Sequence, residues 1–465
     1  MPMEAIHCGV DGWRAHYDEG FCEENVARIA DAAGRLLSEA RPGAAVVVGF
    51  DTRRDGEALA RTTAEILAAH GLRALLSTQP CPQAALSWFA ARHDEVAGAL
   101  MVTGGHASSD ANGVRLRMAD GGACDRAFYD ALEAAVPPEP PAARAACESV
   151  DVVTPYLDDL ISLVDADALR SSGLTIVHDP MYGTSRGLLA RALGRLGVTV
   201  TEVRGEADPL FGGIRPDPIE PWVSDCQRAV VERGASLGLA NDTNAARTGA
   251  VDESGLYVSI HKIAALLLDL LVGYRRQTGR VVITTPGSVL VRRQAARLGC
   301  PLTVAPVGFP RVYAEMRRGD VLLGGEETGG ISIPSHLCER DGLLVDLLLC
   351  ELVARSHKPL GTLVAELEDR VGHMDYGRRD LQLDPASLQM FRNMLPGLNP
   401  QSVAGMRPVD VDHTDGLRLG FADDAWLLLR PSGSEQLVRV YAEASTLLER
   451  DALLDAGCAI ARGDF

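Results

Sequence analysis

Residues Met101–Leu116 read "MVTGGHASSDANGVRL". This stretch closes an apolar run and passes into small and polar residues, as a strand does when it ends in a ligand-binding loop. Upstream, "AAVVVGFD" (Ala44–Asp51) has the same form, and "GEALARTTAEILAAHG" (Gly56–Gly71) predicts an amphipathic helix that a glycine stops. Alternating strands and helices of this kind predict an α/β domain.

The same alternation recurs along the rest of the chain. The proline-rich segment Val136–Ala146 predicts a linker, and new strand–loop–helix patterns start at Leu174 and near Tyr257. The last section differs, because it ends in two strands around a polar turn. We therefore predict an α/β protein with three similar mixed α/β domains and a C-terminal α+β domain around a central cleft. The predicted domains span residues 1–146, 147–254, 255–370 and 371–465.

Composition narrows the function classes. The net charge of −18 argues against a general nucleic-acid or membrane surface, and an anionic ligand would need a local arginine cluster. Lysine occurs only at Lys262 and Lys358, so arginine supplies almost all positive charge. The N-terminus lacks the pattern of a signal peptide and no apolar run is long enough to span a membrane, so we expect a cytoplasmic protein. The ten cysteines are scattered singly, which predicts free thiols.

Four polar, glycine-containing loops follow predicted strands, where α/β folds place their ligand sites. The fourth, "RPSGSE", combines a guanidinium, hydroxyls and a backbone that can converge on an anion, which suits a phosphate. Its candidate phosphate-binding residues are Arg430, Ser432, Gly433 and Ser434. Read alone, an ordinary polar hairpin turn is the alternative.

The second and third loops, "ANDTNAARTG" and "GGEETGG", are less specific. Glu326 and Thr328 offer an acceptor and a hydroxyl that suit sugar hydroxyl groups, although a solvated turn would look the same. In the second loop Asp242 is the one acid, and Asn244 follows it. Magnesium prefers several anionic oxygen ligands, so Asp242 makes a weak metal site and a structural turn is the alternative.

The first loop, "TGGHASSDANG", places His106 near Ser108 and Ser109. A serine and a histidine this close suit nucleophilic catalysis, but no third group to orient them is evident. The chain also lacks the G-x-S-x-G, P-loop and strand-linked G-x-G-x-x-G motifs.

Taken together and in this order, the four loops resemble those of the α-D-phosphohexomutase family, the phosphoglucomutases and phosphomannomutases. The segments "GVDGWRA" (Gly9–Ala15), "VHDPMYGTSRG", "GEADPLFGGIRPDPI" and "APVGF" extend the resemblance over essentially the whole chain. It implies four domains around one cleft, a phosphoserine that passes its phosphoryl group to a sugar, and a magnesium ion held by three aspartates. It also implies that Arg14 and Arg115 contact phosphate, and we assign Arg247 to the sugar site with Glu326 and Thr328.

The departures from the family pattern concern the transfer chemistry. The phosphoserine position is Gly105, which has no oxygen to phosphorylate. The three metal positions hold Asp242, Asn244 and Ala246. Arg115 stands where the family has a lysine, and the family's common histidine in the sugar-reading loop is here a glycine at position 330.

Three functional hypotheses follow. The first is a family member that binds a phosphosugar without being a conventional phosphomutase, and that acts as a sensor or beside a protein partner, or as a homo-oligomer. The second is an enzyme with altered, metal-independent chemistry on a phosphosugar, with His106 as acid or base. The third is an active mutase that uses Ser108 or Ser109 as a displaced nucleophile. We expect no nucleic-acid or membrane partner and no cofactor, with magnesium at Asp242 as the weak alternative.

Overall fold

The computed structural model describes residues 6–433 and 436–464. It confirms the predicted fold class: three sheets mix parallel and antiparallel strands between helices, and the C-terminal sheet is antiparallel throughout. We call the four sheets with their helices domains I to IV. Their limits at residue level remain predictions.

Domain I carries a six-stranded sheet in the order β1-β5-β4-β2-β3-β6. β2 pairs in parallel with β3 and β4, and β5 and β1 add an antiparallel edge. β2 is buried along its whole length, as its unbroken apolar run predicts. β6 pairs with β3, so this sheet takes up chain beyond the proline-rich segment. The elements are β1 (Trp13–His16), α1 (Glu23–Ala40), β2 (Ala45–Phe50), α2 (Gly56–Ala69), β3 (Arg73–Ser77), α3 (Gln83–Arg92), β4 (Val96–Val102), β5 (Ala111–Met118), α4 (Arg126–Ala135) and β6 (Glu148–Val150).

Domain II has a five-stranded sheet in the order β11-β10-β9-β7-β8, in which β7 runs parallel to both of its neighbours. The turn between the antiparallel strands β9 and β10 is the second polar loop. The elements are α5 (Val153–Ser162), α6 (Ala166–Ser172), β7 (Thr175–Asp179), α7 (Leu188–Arg195), β8 (Thr199–Glu202), a 3₁₀ turn (Phe211–Gly213), α8 (Ser224–Arg233), β9 (Leu237–Asn241), β10 (Thr248–Val251) and β11 (Tyr257–Val258).

Domain III has a four-stranded sheet in the order β13-β12-β14-β15. The third polar loop leaves the carboxyl end of β14, and Asp341 caps the apolar helix α12 by accepting a hydrogen bond from Leu344 N. The elements are α9 (Ile260–Leu268) with a π-helical continuation (Asp269–Tyr274), β12 (Arg280–Thr284), α10 (Val289–Arg297), β13 (Leu302–Ala305), α11 (Phe309–Met316), β14 (Val321–Gly325), β15 (Ile331–Ser332), α12 (Gly342–Ser356) and α13 (Leu360–Val371).

Domain IV is a five-stranded sheet in the order β16-β20-β19-β18-β17, packed against α15. The fourth polar loop joins β19 to β20. The elements are β16 (Asp375–Gln382), α14 (Pro385–Met394), a 3₁₀ turn (Leu395–Gly397), β17 (Asp410–Asp412), β18 (Leu417–Gly420), a 3₁₀ turn (Ala422–Asp424), β19 (Trp426–Pro431), β20 (Leu437–Ala444) and α15 (Leu447–Arg462).

The domains share buried surfaces. One continuous apolar core runs from α3 of domain I through α9 and α12 to Trp426 and Tyr441 of domain IV. Glu443 of β20 is fully buried and accepts hydrogen bonds from Ser288 and from Val289 N at the start of α10. These contacts hold domain IV against domain III, and with it the fourth loop. Within the described ranges, no helix combines the length and the apolar character that a bilayer crossing requires.

Candidate functional site

The first loop is organised by a buried arginine. Arg53 is 4% exposed and lies over the ring of Phe211 from domain II, 4.8 Å from its centroid. Its two terminal nitrogens donate at 2.5–2.8 Å to four main-chain carbonyls, those of Gly105, Ala107, Ser108 and Ala111. A planar guanidinium that satisfies four carbonyls fixes the path of the loop, so the site is preformed.

Gly105 occupies a left-handed backbone conformation, with φ +56°. Its N–H donates to Thr103 Oγ1 at 2.9 Å, and its carbonyl accepts from Thr243 Oγ1 of domain II at 2.7 Å. A β-carbon built on Gly105 would lie 2.5 Å from Nη2 of Arg115. The guanidinium of Arg115 therefore fills the space into which a side chain at position 105 would point.

Arg115 lies at the meeting point of the first and second loops. Its Nη1 donates to Gln83 Oε1 at 2.9 Å and is 3.7 Å from a carboxylate oxygen of Asp11. The side-chain oxygen of Asn244, oriented toward Nη1 of Arg115, accepts a hydrogen bond from it at 3.1 Å. In this orientation the side-chain nitrogen of Asn244 donates to the carboxylate of Asp242 at 3.0 Å. Burial, partly offset by Asp11, lowers the pKa of Arg115 to about 10, which still leaves it charged at neutral pH.

The second loop does not fit the magnesium ion that the resemblance implies. Asp242 is buried, and its Oδ1 already accepts from the N–H of Arg247 at 2.9 Å. Asn244 offers only a neutral amide and Ala246 only a buried methyl. Across residues 6–433 and 436–464, no group of three His, Cys, Asp or Glu side chains is placed to hold a metal ion. Mg²⁺ prefers several anionic oxygens, and the second loop offers only the carboxylate of Asp242.

His106 lies half-buried next to Gly105 and is ringed by positive charge. Burial, together with Arg247, Arg215, Arg14 and Arg115, holds the pKa of His106 well below its usual value. The imidazole is therefore neutral at pH 7 and can accept a proton.

Ser108 is exposed, and its hydroxyl donates to the carboxylate of Asp110. Its carbonyl is held by Arg53 Nη1 at 2.5 Å, so the segment that carries Ser108 is tied down. This arrangement directs the hydroxyl of Ser108 toward Asp110.

The third loop places Glu326 beside Arg340, with 3.4 Å between Oε2 and Nη1. Burial raises the pKa of Glu326 to about 7, although Arg340 opposes the shift. Thr328 is half-buried two residues further on. A β-carbon on Gly330 would overlap Cδ of Arg340, so arginine again fills the place of a missing side chain.

The fourth loop is built around Arg430, whose Nε donates to Asp415 Oδ1 at 2.8 Å. Asp415 also accepts from the N–H of Val307 in domain III at 2.7 Å, which ties the loop to the neighbouring domain. Ser432 is buried, and Gly433 is exposed with nothing within 4 Å of its built β-carbon. Ser434, the remaining residue of the predicted phosphate site, lies outside the described residues.

Polar contacts join the loops around one cleft. Arg215 of domain II donates through Nε to the carbonyl of His106 at 3.3 Å. Burial raises the pKa of Asp380 in domain IV, but Arg378, Arg439 and Arg215 hold it below its usual value. Tyr441 of β20 donates to Glu327 Oε1 of the third loop at 3.1 Å. An arginine-rich cleft thus forms in a chain of net charge −18.

The sequence prediction missed several residues that shape this cleft, namely Arg53, Gln83, Arg215 and Arg340. Arg215 lies in the segment "GGIRPDPI" that carries part of the family resemblance, so that segment was an available signal. Gln83 bridges three domains, since it accepts from Arg115, donates to Glu339 at 3.0 Å and lies 3.0 Å from the Asn244 amide. Nothing in its local sequence, at the start of α3, indicates this role.

Four family models match the chain in order. They describe α/β/α domains I, II and III of phosphoglucomutase/phosphomannomutase at residues 5–140, 154–255 and 260–371, and the C-terminal domain at residues 400–456. The chain belongs to the phosphoglucomutase/phosphomannomutase family. It is 30% identical to a phosphoglucosamine mutase of Rhodococcus erythropolis, over 94% of this chain and 95% of that protein. It is 28% identical to a phosphoglucomutase/phosphomannomutase of Thermococcus kodakarensis, over 94% of each.

Solved structures of the family have the same architecture. A putative phosphomannomutase from Thermus thermophilus superposes with a TM-score of 0.89 at 33% identity, over 99% of this chain and all of that one. An N-acetylphosphoglucosamine mutase of Aspergillus fumigatus, solved with GlcNAc-6P and magnesium, shares the fold with a TM-score of 0.59 at 14% identity, over 100% of this chain and 96% of that one.

Proposed function

We propose that this family member binds a phosphorylated sugar in the arginine-lined cleft and does not transfer a phosphoryl group through residue 105. The observation that carries the proposal is the environment of Gly105. The position has no side-chain oxygen, and the guanidinium of Arg115 lies 2.5 Å from where its β-carbon would be. A covalent route through this position therefore has no nucleophile.

A phosphate is the ligand group that best suits the cleft. Arginine binds phosphate oxygens in pairs, and a concentration of arginines in an acidic chain attracts an anion to one place. We assign one phosphate to Arg430, Ser432, Gly433 and Ser434. We assign a second phosphate position, on the opposite side of the cleft, to Arg14 and Arg115. Arg14 lies on β1 and is exposed.

The sugar would lie between these two positions. Glu326 supplies a carboxyl group with a pKa of about 7, and Thr328 supplies a hydroxyl. We assign Arg247 to the same site; it pairs with Asp217, with 3.0 Å between Nη1 and Oδ1. Groups that both accept and donate suit the hydroxyls of a pyranose ring.

The direct test is isothermal titration of the protein with a panel of hexose 1- and 6-phosphates and the matching free hexoses. We expect binding of a phosphorylated hexose and none of its unphosphorylated form. Arg430→Ala removes a charged hydrogen-bond donor worth about 1.5–3 kcal/mol, so affinity should fall by roughly 10- to 100-fold. Arg170→Ala, at a surface arginine that is 56% exposed, is the matched control. Unchanged affinity in Arg430→Ala would reject the assignment of the fourth loop.

A second candidate, altered chemistry on the bound phosphosugar, is favoured by His106. Its imidazole is neutral at pH 7, so it can accept a proton from the sugar, although burial and four arginines lower its pKa and make it a weak base. Epimerisation or isomerisation of the sugar would follow. His106→Gln should abolish turnover while phosphosugar binding persists. Turnover that survives in this variant would exclude His106 as the base.

The third candidate, a mutase that uses Ser108, is less well supported because its hydroxyl already donates to Asp110. In-line phosphoryl transfer requires placement to within a fraction of an ångström. Intact-mass measurement after incubation with a hexose 1,6-bisphosphate should show no added phosphoryl group. An added mass of one phosphoryl group that disappears in Ser108→Ala would establish this route instead.

A further inference from the structure

We infer that Arg115 is a built-in cation that replaces the divalent metal ion of this fold and clamps the first and second loops together. The metal of the family is expected between these two loops, yet one carboxylate remains there, that of Asp242. The inference concerns how the loops are held. It stands whether or not the cleft binds a phosphosugar.

The position of the guanidinium supports this role. Arg115 extends from β5 of domain I and contacts the second loop of domain II through the Asn244 amide, 3.1 Å from Nη1. On its other side, Nη2 lies next to Gly105. The guanidinium of Arg115 thus lies beside Gly105, where the family has its serine, and beside Asn244, where the family has a metal-binding aspartate.

The local charges are balanced without a metal ion. At the second loop Asp242 supplies the one carboxylate, and Arg247 and, more weakly, Arg115 supply positive charge close to it. Asp11 pairs with Arg117 Nη1 at 2.8 Å and with Arg340 Nη2 at 2.6 Å, and it also lies 3.7 Å from Nη1 of Arg115. A divalent ion added here would meet a fixed guanidinium and too few anionic oxygens to offset its dehydration.

Other contacts reinforce the link that Arg115 makes between the two loops. Thr243 Oγ1 donates to the carbonyl of Gly105 at 2.7 Å, and the main-chain N–H of Gln83 donates to the carbonyl of Asn244 at 3.0 Å. The side chain of Gln83 accepts from Arg115 at 2.9 Å. The two loops therefore keep their spacing through protein groups alone.

Buried arginines also lie against two neighbouring glycines. A β-carbon on Gly104 would lie 2.6 Å from Cζ of Arg53, and one on Gly330 would overlap Arg340. At each of three glycines around the cleft, a buried arginine occupies the space that a side chain would need.

The inference is tested by Mn²⁺ titration followed by electron paramagnetic resonance, with thermal unfolding in EDTA and in Mg²⁺ as a second readout. The wild-type protein should show no stoichiometric Mn²⁺ site and the same midpoint in EDTA and in 5–10 mM Mg²⁺, concentrations on the order of those that fill weak sites. A single Mn²⁺ site that disappears in Asp242→Asn would overturn the inference. This comparison uses the intact protein and does not depend on any rebuilt variant.

A rebuilt site provides the second arm. Asn244→Asp with Ala246→Asp restores two carboxylates, which Arg115 should pair with and shield from the metal. Adding Arg115→Met should then increase Mn²⁺ affinity by at least tenfold, whereas adding Arg170→Met, at an exposed arginine, should not. Equal Mn²⁺ affinity with and without Arg115 would show that its guanidinium does not occupy the metal position. If the rebuilt variants fail to fold, the wild-type titration decides alone.

Discussion

Gly105→Ser should be costly because serine restores a side chain in a space that Arg115 now fills. The first cost is conformational, since an L-residue at φ +56° is disfavoured by about 1–2 kcal/mol. The backbone cannot turn away cheaply, because the carbonyl of Gly105 is held at 2.7 Å by both Arg53 and Thr243. The second cost is displacement of the guanidinium from its bonds to Gln83 and Asn244, about 1–3 kcal/mol for hydrogen bonds to a charged group. The expected total is roughly 2–5 kcal/mol.

A matched glycine separates the two costs. Gly173 has φ +66° and nothing within 4 Å of its built β-carbon, so Gly173→Ser pays only the conformational cost. In an Arg115→Ala background the overlap disappears, and Gly105→Ser should then cost about as much as Gly173→Ser. Urea denaturation of the four single and double variants, compared through the midpoint of one shared transition, gives the coupling between the two sites.

The reasoning would be refuted if Gly105→Ser cost no more than Gly173→Ser in the wild-type background. That result would mean that Arg115 moves aside freely and does not fill a fixed position. Equal costs for Gly105→Ser with and without Arg115 would refute it in the same way.

Three further perturbations test other parts of the structure. Burial lowers the pKa of His261 to about 4. Between pH 6.5 and 4 the unfolded chain therefore binds a proton that the folded chain does not. The free energy of unfolding should fall by up to about 3 kcal/mol on acidification through this range. His261→Leu should flatten that dependence in denaturant titrations at several pH values, and an unchanged slope would contradict it. Burial raises the pKa of Glu326 to about 7, so its carboxylate forms as the pH rises through 7. Phosphosugar affinity, measured by titration calorimetry, should therefore increase between about pH 6 and 8. The variant Glu326→Gln should lack the part of this increase that comes from Glu326. In Arg53→Lys a single ammonium group replaces the guanidinium and cannot bind all four carbonyls. The amide hydrogens of residues 104–111 should then exchange with solvent about tenfold faster or more. Unchanged exchange rates would mean that the loop does not depend on the guanidinium.

The fold could be predicted from local patterns because each strand, loop and helix carries its own signal. The run from Ala44 to Asp51 is β2, and the helix predicted at Gly56–Gly71 ends at Ala69. The order of such units then indicates a layered α/β architecture, which the structure confirms. β6 shows the limit of this reasoning, since it follows a linker-like segment and yet pairs with β3 of the first sheet.

The site could be predicted only where its residues lie in recognisable loops. The hydrogen bonds around Arg115 join residues that are remote in sequence. Gln83 and Glu339 are 256 residues apart, and Asp11 and Arg340 are 329 apart. No periodicity or turn signal encodes such pairs. The sequence indicates that position 105 carries no nucleophile. Only the structure shows that the guanidinium of Arg115 lies where a side chain at this position would point.

The most direct test of the central claim is phosphorus NMR of hexose 1- and 6-phosphates in the presence of the protein. The spectra are recorded with and without magnesium and a hexose 1,6-bisphosphate primer. The account predicts broadened phosphorus signals for a bound phosphosugar, with no exchange between the 1- and 6-phosphate resonances and no effect of magnesium. Interconversion of the two phosphates that requires magnesium and the primer would contradict it, because phosphoryl transfer would then proceed in a protein with glycine at position 105.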